Sequence, residues 1–235
     1  MSRWLYPFER RLAWESRRLW AIIAIIGYFL LELLDRTLFH ALYVGRGLIK
    51  QEQLSEIEAA RNAYEQIEAA RNAYEQGPGV MMVKNTGYLP VWIAIGAALG
   101  LARRAMDGVR LIAAAAVAGG AADLLKPLVG RVRPCFTDGR HMYRHAAGWD
   151  DAKISYGMAS SHAAVAFGAA FMVLFLYGRA GWVAMVLAAG CGLERMAAGA
   201  HFATDVYVGA ALGYASARFL RPGGWYGTRA GLLLP

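Results

Sequence analysis

The sequence predicts an all-α polytopic membrane protein: a six-transmembrane-helix bundle with a helical insert, on the non-cytoplasmic side, between helices 1 and 2. Three observations predict it. Apolar residues make up 57% of the 235-residue chain and charged residues only 18%, below the roughly 25% of soluble domains. Apolar runs recur along most of the chain, whose mean hydropathy is +0.32. Arg103, Arg104, Arg179, Arg218, Arg221 and Arg229 lie in or beside stretches that six spans would place with the N-terminus, as the positive-inside rule expects of a cytoplasmic face. The formal net charge of +8 has no polar basic domain to carry it, which excludes a nucleic-acid binder. Membrane topology and an anion site account for it better.

Residues 1–18 are basic and aromatic, with Arg3, Arg10, Arg11, Arg17 and Arg18, and read as a cytoplasmic interfacial segment. The first apolar run, 19–34, is interrupted only by Glu32. No small-residue cleavage site follows it, so it is expected to be an uncleaved first span. Five further spans are expected at about 88–102, 109–125, 163–177, 182–198 and 206–220, several borrowing flanking residues to reach the length of a crossing. Gly96/Gly100 and Gly209/Gly213 are small-xxx-small pairs suited to close helix packing in lipid. The tail, 221–235, returns to the cytoplasm.

Residues 35–86 form the only long polar insert. It carries a perfect tandem repeat, IEAARNAYEQ, at 57–66 and 67–76. Its composition favours helix, ended by Gly77-Pro78-Gly79. A ten-residue period rotates successive copies by about −80°, so no straight seam results. It reads as a duplication that lengthens a surface helix.

Three clusters carry candidate chemistry, and all fall at ends of spans facing the non-cytoplasmic side. Residues 126–134 read KPLVGRVRP, residues 159–162 read ASSH, and residues 194–205 read ERMAAGAHFATD. If the chain is helical from His201 onward, Asp205 stands one turn along the same face. A carboxylate beside a histidine fixes its tautomer and supports its positive charge, and an arginine within reach offers a fork suited to phosphate. On the last stretch alone, scattered polar residues at helix ends explain the pattern equally well. Convergence of the three on one face favours a site. No histidine pair shows zinc-ligand spacing, and Cys135 and Cys191 are not expected to form a disulfide.

The three clusters resemble, in order and spacing, those of the type 2 phosphatidic acid phosphatase family, which shares its site with vanadium haloperoxidases. The family pattern is K-x6-R-P, P-S-G-H and S-R-x5-H-x3-D. Lys126, Arg133 and Pro134 match the first; Ser160 and His162 match the second; Arg195, His201 and Asp205 match the third. The resemblance covers residues 87–220, the expected phosphatase core.

It implies His201 as nucleophile forming a phosphohistidine, Asp205 as its orienting carboxylate, and His162 as proton donor and later general base. Lys126, Arg133, Arg195, Ser160, Ser161 and the start of the fourth span would hold the phosphoryl oxygens. No metal and no cofactor is implied. The partner is a lipid phosphate substrate drawn from the membrane: phosphatidylglycerophosphate, phosphatidate, undecaprenyl pyrophosphate or lipid A. Localisation would be the bacterial inner membrane, with the site on the periplasmic face.

Departures are Ala159 for Pro, Ser161 for Gly and Glu194 for Ser. Glu194 would repel phosphate unless a cation neutralises it, and reads as specificity tuning or an ion pair behind the site. Trp149, Asp150 and Asp151, with Arg140 and Arg144, are candidates for headgroup recognition, although a solvated loop is the simpler reading. A phosphotransferase using the same phosphohistidine is the alternative activity. A non-catalytic scaffold or transporter would not need the histidine and cation set, and the soluble haloperoxidases do not fit so apolar a chain.

Overall fold

A computed structural model describes residues 6–43, 72–144 and 156–223, together with Gln66, Ala69 and Ala70. Most of the tandem repeat, Trp149, Asp150, Asp151 and the end of the tail lie outside the described residues. Those described form α1 (Tyr6–Leu42), α2 (Pro78–Asn85), α3 (Leu89–Leu101), α4 (Ala105–Val129), α5 (Ser161–Tyr177), α6 (Gly181–Ala197) and α7 (Ala203–Leu220). Among them there is no β-strand; two isolated bridges, Arg131 with Tyr143 and Val132 with Tyr156, tie one loop together.

Residues 6–18 of the basic segment and the first span, expected as two pieces, are one helix. Between Pro7, in its first turn, and Leu42, α1 meets a single glycine and no further proline, so nothing breaks its 37 residues. Its apolar side chains, among them Ile22, Ile25, Phe29 and Leu33, are exposed, as a lipid-facing helix requires. Ala105–Val129 and the stretch Ser161–Ala197 are each long and apolar enough to cross a bilayer.

At the centre stands α5, which packs against α4, α6 and α7. Small residues make this possible. Ala114, Ala115 and Ala118 of α4 and Ala163, Ala164, Ala166, Ala169 and Ala170 of α5 are buried. A Cβ on Gly213 would come within 2.6 Å of the Gly168 nitrogen, and one on Gly209 within 2.6 Å of the Ser160 oxygen. In lipid, packing contacts and not water exclusion hold helices together, so this backbone approach is the main adhesive. Of the other pair, Gly96 meets α4, where a Cβ would stand 2.6 Å from Ile112, but Gly100 faces open space. Gly100 is therefore no packing position.

Helix ends then gather the polar residues. Pro127 lies in the last turn of α4, which closes on Gly130 in the left-handed conformation (φ 66°). A side chain there would strike the Arg144 carbonyl at 2.3 Å, because Arg144 N donates back to Gly130 O (2.8 Å). This turn brings Arg131 to the start of α7 and Arg133 close enough to His201 to act on its charge.

Candidate active site

Lys126 points from the last turn of α4 toward the start of α5. Its Nζ donates to Ser161 Oγ (2.7 Å) and pairs with Asp123 (2.6 Å). The Ser161 hydroxyl, at the position of the family's glycine, thus accepts a hydrogen bond from a cation. Arg133 precedes the short 3₁₀ turn Pro134–Phe136, and Cys135 N donates to Gly199 O (3.1 Å), fastening this loop to the one bearing His201. Cys135 and Cys191 are both buried and unbridged.

Ser160 caps α5, its hydroxyl accepting from Ala163 N (3.4 Å), while its own N–H donates to Asp205 O (3.1 Å). His162 follows in the first turn. Its ring meets Tyr88 edge-on at 4.8 Å, and its buried Nε2 has no hydrogen-bond partner among the described residues. Gly87 allows this, since a Cβ there would stand 2.8 Å from His162 Cβ.

His201 does not start a helix. α7 begins at Ala203, so the pairing of His201 and Asp205 on one helical turn does not hold. Instead His201 Nδ1 bonds the Gly157 carbonyl at 2.7 Å, which makes Nδ1 the protonated nitrogen and leaves Nε2 with the lone pair. Asp205 Oδ2 is 3.8 Å from Nδ1, close enough for charge but too far for a hydrogen bond. That oxygen accepts from Phe202 N (2.8 Å), closing the first turn of α7. Gly157 fits because a Cβ would stand 2.8 Å from Asp205 Oδ2.

His201, in the loop between spans, is 4% exposed. Burial, then the charges of Arg133, Lys126 and Arg195, push its imidazole well below the usual histidine range. The sign of the stability effect follows. An unfolded histidine titrates near about pH 6.5. Below that the unfolded chain takes up a proton that the folded one refuses, so stability is full above and lost as pH falls toward the depressed value. Thermal unfolding in detergent should show Tm falling between about pH 7 and pH 5, with a shallower fall in His201→Gln.

Arg131 is the residue that motif reading missed. It is fully buried, and Nη1 donates to Thr204 Oγ1 (2.6 Å) and Asp205 Oδ1 (3.1 Å). Nη2 donates to Asp35 Oδ2 (2.9 Å) of α1 and to His141 Nε2 (2.6 Å), while the guanidinium lies over the Phe202 ring at 4.4 Å. Asp35 in turn binds Thr204 through its N–H (3.0 Å) and its hydroxyl. Burial, with Arg131 beside it, pushes His141 below the usual range, so the neutral ring can accept. The signal was available: a second arginine inside the K-x6-R-P spacing, and an acid at the end of an apolar run.

Arg195, near the end of α6, is clamped. Its Nε and Nη2 fork onto Glu194 (both 2.5 Å), and Nη2 also reaches Glu75 Oε1 (2.7 Å). Glu75 in turn pairs with Lys84. Glu194 is thus neutralised by an ion pair with Arg195. Arg140 and Arg144 are exposed at the surface.

A cavity of about 400 Å³ opens beside His162, between Leu89, Gly119, Gly120 and Val165. Asp123, Ser161 and Tyr88 give it a polar end. Among the described residues, no three of His, Cys, Asp and Glu converge in a way that could hold a metal ion.

Apolar helices around a cation-rich, histidine-bearing end define an integral membrane protein with a site suited to an anion. A model of the PAP2 superfamily matches residues 107–229, and the chain belongs to that superfamily. Its fold is similar to that of the first transmembrane PAP2-type phosphatidylglycerolphosphate phosphatase of Bacillus subtilis, whose crystal structure aligns with a TM-score of 0.50 over 85% of this chain and 92% of that one, at 18% identity. The chain is also similar to the bacitracin transport permease protein BcrC of Bacillus licheniformis, 34% identical over 68 residues, which are 29% of this chain and 34% of that protein. It spans about a third of the length of this curated relative.

Proposed function

We propose that this protein hydrolyses a lipid phosphate monoester or pyrophosphate through a phosphohistidine, without a metal ion. The observation that carries the reading is the pair of histidines. His201 presents Nε2 because Gly157 holds Nδ1, and His162 brings to the same end of the bundle a buried Nε2 that has no hydrogen-bond partner among the described residues. His201 Nε2 attacks phosphorus while the bond from phosphorus to the leaving oxygen breaks (the lipid oxygen of a monoester, the bridging oxygen of a pyrophosphate), and His162, entering the step as imidazolium, gives that oxygen its proton and becomes neutral. Water then attacks phosphorus, passing a proton to His162, and the P–N bond breaks to release inorganic phosphate. Asp205, at 3.8 Å, supports the charge on His201. Lys126, Arg133, Arg195, Ser160, Ser161 and the first turn of α5 face the phosphoryl oxygens.

The leaving alcohol departs on the His162 side, where the cavity between α3, α4 and α5 suits a hydrocarbon chain entering sideways from the outer leaflet. In this reading α1, α3, α4, α5, α6 and α7 cross a bacterial inner membrane, with both termini cytoplasmic and the site periplasmic. Phosphatidylglycerophosphate, phosphatidate, undecaprenyl pyrophosphate and lipid A are the substrates to assay. The test is phosphate release from such a panel in detergent, with and without EDTA. Release that persists in EDTA is expected; its loss there would overturn the metal-free step. Transfer of phosphate to an acceptor without release would make the protein a phosphotransferase.

A further inference from the structure

The second copy of the repeat lines a cavity that the phosphoryl chemistry does not use. Residues 72–75 are helical, and Asn72, Glu75 and Gln76 stand at i, i+3 and i+4, the spacing of one helix face. The chain turns at Gly77 into α2, whose Lys84 and Asn85, with Tyr88 just beyond, complete the wall of a cavity of about 360 Å³. The wall precedes residues 107–229, which match the family, so it is an addition to the shared core.

This cavity is polar without net charge. Glu75 pairs with Lys84, so the two cancel. Asn72, Gln76 and Asn85 are exposed, and their carboxamides have no hydrogen-bond partner among the described residues. Each offers two N–H donors and a carbonyl acceptor. An anion gains little from a cancelled pair, and a hydrocarbon would cover the carboxamides without replacing their water. Hydroxyl groups both donate and accept, so they satisfy both kinds of partner. The Tyr88 ring, 40% exposed, gives the C–H face of such a group an apolar floor. Tyr88 also lines the apolar cavity and meets His162 edge-on at 4.8 Å. The two cavities therefore adjoin beside the proposed proton donor.

We propose that this cavity binds a neutral polyhydroxyl group, a glycerol or a sugar, which carries the scissile phosphate of the lipid substrate. The inference rests on the reading of His162 as proton donor to the leaving oxygen. With that oxygen at His162, hydrocarbon lies between α3, α4 and α5, and hydroxyls lie against the insert. Phosphatidylglycerophosphate is cleaved from a glycerol and lipid A from a sugar, so both fill the cavity. Phosphatidate and undecaprenyl pyrophosphate bring no such group and leave it empty. A site built to hydrogen-bond hydroxyls discriminates against substrates that lack them.

The test measures kcat/KM for these four substrates in a polyoxyethylene detergent, which has no sugar headgroup. The full chain is compared with Asn72→Ala combined with Gln76→Ala, two exposed positions outside the catalytic set. The double variant should lower kcat/KM roughly tenfold for the hydroxyl-bearing substrate that the wild type prefers, and leave phosphatidate unchanged. The substrate affected tells glycerol from sugar. Asn85→Ala, on the other wall, should act in the same direction. Equal changes for all four substrates, or none for any, overturn the proposal. So does a wild type that prefers phosphatidate or undecaprenyl pyrophosphate, a result that leaves the phosphatase reading standing. A wild type that releases no phosphate refutes that reading instead. The cavity is then judged from Tm shifts with glucosyl diacylglycerol and with monoacylglycerol. A shift with either that is lost in the double variant upholds it, and equal or absent shifts in both proteins overturn it.

Discussion

His201→Ala is expected to lower phosphate release from a lipid phosphate by about 10³-fold or more, because no other group stands ready to take its bond to phosphorus. The effect should be one of kcat, since the proposed phosphate contacts Lys126, Arg133 and Arg195 are left in place. His162→Ala should fail differently. Proton donation and water activation are each worth roughly 10²–10⁴-fold, and both would be lost. A substrate with an acidic leaving group, such as p-nitrophenyl phosphate, needs no proton. With it, His162→Ala should recover the first step and accumulate phosphoenzyme, trapped as an acid-labile, base-stable species. His201→Ala should form none with any substrate. Full turnover in His201→Ala would sink the mechanism.

Arg131→Ala is expected to be the most destabilising single change, costing about 3–5 kcal/mol, because it leaves buried carboxylates without their cation. Asp35 and Asp205 have no exposed side-chain surface, and both lean on this guanidinium. Loss of Tm in detergent checks this. A second substitution separates charge from geometry. Adding Asp35→Asn to Arg131→Ala removes one of the stranded charges and should return part of the lost stability, while activity stays low because Asp205 and Thr204 are no longer held from the loop that follows α4. Arg131→Lys should rescue poorly, since an ammonium cannot reproduce the fork that spans Thr204, Asp205 and Asp35. A variant as stable as wild type would refute the linchpin role of Arg131.

The same network shows why the candidate site was legible only in part. Lys126, Ser161, His162, Arg195 and His201 could be picked out because chemically rare residues recur at spacings that chemistry demands. The hydrogen bond that orients His201 could not, because its acceptor is the carbonyl of Gly157, and every residue has a carbonyl. The sequence suggested Asp205 for that task; its carboxylate instead closes the first turn of α7 and binds Arg131. Gly96 and Gly100 look alike in sequence, yet only Gly96 meets another helix, because which face is turned inward depends on the neighbour.

The sequence by itself determined the helical, membrane-embedded class and the family, because apolar content, small-residue helices and short motifs are local properties that survive without coordinates. Tertiary structure decided the pairings. Arg131 with Asp35, 96 positions apart, and Arg195 with Glu75, 120 apart, join segments between which no periodicity runs. Buried charges must find partners wherever packing brings them, so the identity of each partner is settled by the fold and not by spacing along the chain.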